Sequence, residues 1–259
     1  MKLLKSSAII CILLLAFELV QAKSPYAIIG KNDLIIVDDN FKNIPNKYKL
    51  NLAAIGKLST ACTATHIGQG FIITAGHCFW QTFFDAELYE NQKCTDETIS
   101  WAVTTGNLNP KISKCKEIIA MQKSEILNLD FAIMRIDNPP LEKIALDFNQ
   151  SSVVPNTLLT LFSYPLESPL SWSKYCRIKK INLTDVNLQL LHHACDTQSG
   201  SSGAAVLNAM NGKIVGIHIS SNGDPEPDGS STKTATENYA VYISKSPIKS
   251  LLLKAGYKF

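Results

Sequence analysis

The chain has 259 residues, with 25 Lys and Arg against 22 Asp and Glu, a formal charge of +3 and seven cysteines. So small a charge imbalance argues for neither a nucleic-acid partner nor an anionic membrane surface.

The first 22 residues are read as a leader and not as part of the fold. Lys2 and Lys5 are basic, residues 8–15 are apolar apart from Cys11, and Val20-Gln21-Ala22 offers a small-residue cleavage site. The apolar run is too short for a spanning helix, and no later run reaches the required length. Residues 1–22 are therefore expected to be a secretory signal peptide, and lipidation at Cys11 is not expected. Six cysteines remain beyond it, an even number that in an exported chain reads as disulfides. The remaining length suits one compact two-barrel unit better than two independent domains.

Beyond the leader, most of the chain reads as short strands. Residues 50–58, 70–74, 99–104, 115–121 and 131–136 are β-branched or aromatic-rich. After Asn138-Pro139-Pro140 the pattern resumes at 158–162, 175–181, 188–193, 204–207, 213–219 and 239–243. Turn residues such as Asn107 to Pro110, Tyr164-Pro165 and Asn211-Gly212 separate them. Many short strands at this spacing predict an antiparallel sandwich or barrel and not βαβ units. Residues 222–238 are polar, with two prolines, and read as an exposed loop. The end of the chain reads as a helix over 246–257: Ser246 as N-cap, Pro247 at the first position, Ile248, Leu251 and Leu252 on one face, and Gly256 as terminator.

Three segments carry chemistry. Asp196-Thr197-Gln198-Ser199-Gly200-Ser201-Ser202-Gly203 places one serine, Ser202, between two suitably spaced glycines. A serine hydroxyl is a poor nucleophile until a base removes its proton, and a tetrahedral intermediate needs N–H donors aimed at its oxygen. A Gly-x-Ser-Gly turn meets both needs, with Gly200 and Ser202 as the oxyanion donors. Ser199 and Ser201 are rivals without both glycines, and a plain surface turn is the bland alternative. The G-x-S-x-G elbow is not met, because Ala204 stands at its last position. His77, in Thr74-Ala75-Gly76-His77-Cys78, is the base candidate; a Cys62–Cys78 bridge would clamp the loop presenting it. Asp130 leads the apolar run Phe131 to Met134 and could hold the second imidazole N–H. Asp137, Asp85 and Asp196 lead no such strand and are weaker candidates. His192 and His193 are given no catalytic role, one of them being expected to face solvent. Trp80, Trp101 and Trp172 are expected to pack in the core or at its rim. The C-x₂-C spacing favoured by zinc sites is missing, so no metal and no cofactor is expected.

Taken together, TAGHC around His77, LDFAIMRI around Asp130 and HHACDTQSGSSGAAV around Ser202 resemble a chymotrypsin-fold serine endopeptidase of the bacterial trypsin-like kind, closest to the glutamyl-endopeptidase branch. Ile214 to His218 and Asn238 to Ile243 fit the same pattern, and Ile28 to Asp33 resembles the mature start of that branch. The resemblance implies an all-β fold of two antiparallel six-stranded β-barrels packed face to face, with a C-terminal helix and the active site in the cleft between them. The expected protease domain is 23–259, with a first barrel at about 28–145 carrying His77 and Asp130 and a second at about 150–245 carrying Ser202. It implies Cys62–Cys78 and Cys176–Cys195, with Cys94–Cys115 as the remaining pair. It also implies a primary pocket lined by Thr197 and His218, with Ser220 and Ser221 at its rim where small glycines are common. No aspartate is expected at the pocket base, so a taste for Lys and Arg is disfavoured, and a preference for Glu before the cleaved bond is the working hypothesis.

Ser201 departs from the vertebrate digestive enzymes, which carry there an aspartate that receives the new amino terminus. Activation by that ion pair is not expected, and the sequence leaves open whether residues 23–27 are trimmed. The expected protein is a secreted or periplasmic monomeric peptidase acting on proteins or peptides. A catalytically silent relative that binds partners through the same cleft is the alternative, and a lectin-like β-protein a remote third.

Overall fold

A computed structural model describes residues 26–79, 88–107, 109–124, 129–181, 190–223 and 235–259. The expected leader, Trp80, Asp85 and most of the 222–238 loop lie outside the described residues. No described helix is long and apolar enough to cross a membrane.

Strands β1 (Tyr26–Ala27) and β2 (Ile35–Ile36) precede a short helix α1 (Asn46–Lys49). Then come β3 (Ile55–Leu58), β4 (Thr63–Gly68), β5 (Phe71–Thr74), β6 (Leu88–Gln92), β7 (Thr98–Trp101), β8 (Ile112–Ser124) and β9 (Leu129–Ile136). These build the first barrel. Its ring runs β8-β7-β3-β4-β5-β9 and closes where β9 pairs with β8, and β6 is appended to β8. The second barrel uses β10 (Leu158–Ser163), β11 (Ser171–Ile181), β12 (Leu190–His193), β14 (Ala205–Asn208), β15 (Ile214–Ser221) and β16 (Asn238–Tyr242). Its ring, β10-β14-β15-β16-β12-β11, closes by the β10–β11 pairing and carries β2 on β11. Outside both rings, β13 (Thr197–Gln198) pairs with β1. The architecture is the expected pair of six-stranded antiparallel barrels.

The strand sequences show why the barrels pack on each other. Successive side chains alternate between the two faces of a strand, so a barrel wall covered on its outside is apolar on both faces. In β5, Ile72 fills the first barrel, whereas Phe71 and Ile73 face a shared outer layer. In β9, Ala132 and Met134 point inward and Phe131 and Ile133 outward. That layer also takes Phe162, Tyr164 and Trp172 from the second barrel and Leu251 and Leu252 from α2 (Ile248–Lys254). Buried aromatic polar atoms find partners there: the Tyr164 hydroxyl donates to the Ile55 carbonyl at 3.0 Å, and Trp172 Nε1 donates to Thr160 Oγ1 at 2.7 Å. Trp101 is buried in the first barrel and donates to Ser113 Oγ.

Two sequence expectations shift. Residues 50–54 form a 3-10 turn, and only 55–58 extend, because Leu52 and Ala54 reach the core from that turn. The run expected at 99–104 stops at Trp101, where Ala102 takes a left-handed φ of 49°. The C-terminal helix spans Ile248–Lys254; Ser246 Oγ accepts from the Ile248 N–H, and Gly256, at φ 84°, ends it.

Candidate active site

His77 sits in a single 3-10 turn, Gly76–Phe79, directly after β5. The next residue, Cys78, is bridged to Cys62 at the entry to β4, so the turn is tied covalently to the barrel wall. Asp130, on β9, holds His77 twice. Its Oδ2 lies 2.6 Å from His77 Nδ1, and its Oδ1 accepts the His77 backbone N–H at 2.8 Å. Two bonds to one residue fix ring orientation and place the ring proton on Nδ1, which leaves Nε2 as the basic nitrogen. Asp130 is nearly buried and His77 part-exposed.

The turn containing Ser202 comes from the second barrel, just before β14, and presses on the residues that precede His77. Thr63 makes the join. Its N–H donates to the Ser202 carbonyl at 2.8 Å, its hydroxyl donates to the Gly200 carbonyl at 2.8 Å, and its own carbonyl accepts from Thr74 Oγ1 at 2.7 Å. Gly203, at φ 82°, packs so closely that a Cβ there would lie 2.0 Å from Thr74 Oγ1 and 2.2 Å from the Thr63 carbonyl. Only glycine allows that approach. Gly200 is likewise left-handed, at φ 90°, and the N–H groups of Gly200 and Ser202 have no acceptor among the described residues.

Of the rival serines, Ser201 has its hydroxyl engaged. Ser201 is buried, shares a hydrogen bond with Ser163 Oγ at 2.9 Å and accepts the Gln198 N–H. Ser199 anchors the turn through its carbonyl, which accepts the Leu166 N–H at 2.6 Å. Sequence pattern does not single out Thr63; its one signal there is adjacency to Cys62.

The expected pocket residues lie on neighbouring walls. Thr197 is on β13, and its Oγ1 is buried with no hydrogen-bond partner among the described residues. His218 is on β15 and 4% exposed; its carbonyl accepts the Gly203 N–H at 2.8 Å. Ser220 follows after a bulge and stands opposite Tyr239, part-exposed. Asp196, immediately before Thr197, spends both oxygens on backbone: Oδ1 on the Ile29 N–H at 2.9 Å and Oδ2 on the Asp33 N–H at 2.7 Å. Asn238 Nδ2 completes the N-terminal attachment by donating to the carbonyls of Ala27 and Cys195.

Behind His218 stands a residue to which sequence pattern assigns no role. His193 is fully buried, and its Nε2 is 3.3 Å from His218 Nδ1. The Cys195 N–H donates to His193 Nδ1, so the His193 proton sits on Nε2 and points at His218 Nδ1. A neutral His218 then carries its own proton on Nε2. Burial pushes His218 down to about 3, with His77 acting the same way and the Tyr239 carbonyl and Asp130 opposing. Burial also holds His193 well below the ordinary imidazole range, helped by His218 and His192. Of this pair His193 is the buried member, and His192 is part-exposed, with its Nδ1 2.9 Å from Glu237 Oε2.

The cysteines pair as Cys62–Cys78, Cys94–Cys115 and Cys176–Cys195. Among the described residues, His77, His193 and Glu97 each lie close to two cysteines, but in each group those two form a disulfide and are not thiolate ligands.

A family model, the trypsin-like peptidase domain, matches residues 62–217. No curated protein sequence is a significant match. Among solved structures, a Glu endopeptidase in complex with MPD superposes with a TM-score of 0.59 at 19% identity, covering 88% of this chain and 98% of its own. An inactive mutant form of Rv3671c from M. tuberculosis H37Rv gives 0.55 at 14% identity, covering 86% and 95%. An inactive form of the Rv3671c protease gives 0.55 at 13% identity, covering 86% and 98%. At such identities these likenesses speak for the fold.

Proposed function

Because this chain belongs to the family of trypsin-like peptidase domains, we propose that it is an exported serine endopeptidase using Ser202, His77 and Asp130. The observation that carries the reading is the double hold of Asp130 on His77, at 2.6 and 2.8 Å, beside a serine turn with two N–H groups that have no acceptor among the described residues. In this mechanism the Ser202 hydroxyl gives its proton to His77 Nε2 as Oγ bonds to the scissile carbonyl carbon. The carbonyl electrons move onto oxygen, where the N–H groups of Gly200 and Ser202 receive the charge. Collapse expels the amine, which takes the proton from His77 and leaves an acyl-enzyme. Water then gives a proton to His77 and attacks the acyl carbon, and a second collapse releases the acid and restores the Ser202 hydroxyl. Asp130 keeps the proton on Nδ1 and stabilises the imidazolium formed in each half. A fluorophosphonate probe tests this: it should label Ser202 and leave Ser202→Ala unlabelled, and an unlabelled native protein would support the silent-relative alternative.

The primary pocket favours a carboxylate. The Thr197 hydroxyl is a buried polar group lacking a partner among the described residues, and neutral His218 carries its proton on Nε2. A Glu side chain supplies the acceptor both need, and its charge makes protonation of His218 easier. Asp196, the carboxylate nearest Thr197 in sequence, is already committed to two backbone donors. Peptides differing only before the cleaved bond decide the matter, and equal turnover of Glu and Leu substrates ends it. Export follows from the leader-like residues 1–22 and from three disulfides, which persist in oxidising compartments.

A further inference from the structure

The two N–H groups offered to the oxyanion are held in different ways. In a planar trans peptide the C=O and N–H point in opposite directions, so whatever grips the carbonyl also aims the N–H. For Ser202 the grip is local: the Ser201 carbonyl accepts the Ala204 N–H at 3.0 Å, within the same turn. For Gly200 the grip comes from elsewhere. The Ser199 carbonyl, which shares a peptide plane with the Gly200 N–H, accepts the Leu166 N–H at 2.6 Å, from the connection between β10 and β11.

Gly200 gives that peptide little stiffness of its own. The approaching segment comes so close that a Cβ on Gly200 would lie 2.4 Å from the Tyr164 carbonyl. The missing side chain that admits the segment also leaves the Ser199–Gly200 peptide easy to rotate. The segment, by contrast, is firmly based. Tyr164 is buried, with its hydroxyl donating to the Ile55 carbonyl and accepting the Val103 N–H. Its own N–H donates at 3.1 Å to the Thr63 hydroxyl, which in turn donates to the Gly200 carbonyl. The Ser168 N–H then closes a 3-10 turn on the Pro165 carbonyl at 2.9 Å, with Leu166 at its tip. Leu166 takes φ 51° and ψ 36°, a left-handed conformation that a Cβ disfavours, and its side chain is 43% exposed. Such a residue persists only where its surroundings over-determine it, and the bond to Ser199 is a contact this conformation makes.

We propose that Leu166 is a positioning residue for the serine-peptidase chemistry read above, on which this inference rests. By holding the Ser199 carbonyl from a left-handed backbone, the Leu166 N–H keeps the Gly200 N–H turned toward the oxyanion. When that bond is lost, the Ser199–Gly200 peptide turns over and presents a carbonyl where a donor is needed. The oxyanion then keeps only the Ser202 N–H. In this role Leu166 acts through Gly200 and needs no contact with the substrate.

Steady-state kinetics on one peptide substrate, with a series of residues at position 166, tests this. Leu166→Gly and Leu166→Asn accept a positive φ, Leu166→Val resists it, and Leu166→Pro removes the N–H altogether. The order of kcat should follow, with Leu166→Pro about 10²–10³ below Leu166→Gly, the worth of one oxyanion donor, and Leu166→Val about tenfold below. KM should stay within about twofold across the series, because the oxyanion is absent from the bound substrate. A peptide aldehyde, whose adduct with the serine carries an oxyanion, should lose affinity in step with kcat. Melting curves show which variants fold; should Leu166→Pro fail to fold, Leu166→Val against Leu166→Gly decides. Equal kcat in those two, a folded Leu166→Pro with native kcat, or losses confined to KM overturn this inference and leave the peptidase reading standing. A native protein that neither hydrolyses peptides nor takes the fluorophosphonate overturns both.

Discussion

Two imidazoles, one from each barrel, lie close enough for their charges to interact, and their partners differ in kind. His77 is part-exposed and backed by a carboxylate that grips both its ring and its backbone. His218 is buried and backed by another neutral imidazole, His193. A carboxylate stabilises positive charge on the ring it touches, whereas a buried neutral ring supplies direction without charge. The first arrangement suits a group that must accept a proton in every cycle. The second suits one that stays neutral until a substrate anion arrives. Ring chemistry is the same in both; the partner and the burial set the task.

Removing the carboxylate should have the largest effect. Asp130→Asn is expected to lower kcat by about 10⁴ by favouring the wrong tautomer of His77, with little change in KM. Steady-state kinetics on a peptide substrate, alongside an unchanged melting curve, checks it. Next, His218→Leu should lower kcat/KM for Glu peptides by on the order of 10², the loss of a hydrogen bond to a charged group. It should leave fluorophosphonate labelling of Ser202 intact, so equal losses in both assays would place His218 in general scaffolding. A smaller loss, about tenfold, is expected for His193→Leu on the same peptides, because His218 Nδ1 loses its donor and the ring is free to turn. His193→Gln, which retains an N–H donor, should recover part of it.

The smallest effect is in stability. Both buried histidines have folded-state affinities for protons below the unfolded value of 6.5. The unfolded chain therefore binds more protons below that value, and the stability of the folded state declines as pH falls from 6.5 toward 3. The melting temperature should drop by some degrees over that window, and by less in His218→Leu/His193→Leu. An equal pH slope in native and double-variant proteins would remove the histidines from the account.

One side of this comparison is far more legible in sequence than the other. His77, Asp130 and Ser202 each stand in a short local pattern, so residue type and spacing are enough to single them out. His193 has no such mark. Its contact with His218 spans 25 positions and is created by the register of β12 on β16 and of β16 on β15. Thr63 escapes for the same reason, since its value lies in three partners on distant segments. The turn at 50–54 reads as a strand because Leu52 and Ala54 bury their side chains from a 3-10 turn, and burial alone does not report backbone shape. The barrels themselves are legible because a wall covered on both faces writes continuous apolar runs such as Phe71-Ile72-Ile73.

The attachment of residues 26–33 to the β13 wall sets an upper bound on how much of the chain a processing step can remove without disturbing that wall. Trimming up to residue 25 leaves the β1–β13 ladder and both donors to Asp196 in place. A cut past Ile29 would strip the ladder and one of those donors, leaving a buried carboxylate short of a hydrogen bond beside Thr197. On the proposed mechanism, a chain shortened that far would keep Ser202, His77 and Asp130 in place while losing the shape of the wall that carries Thr197.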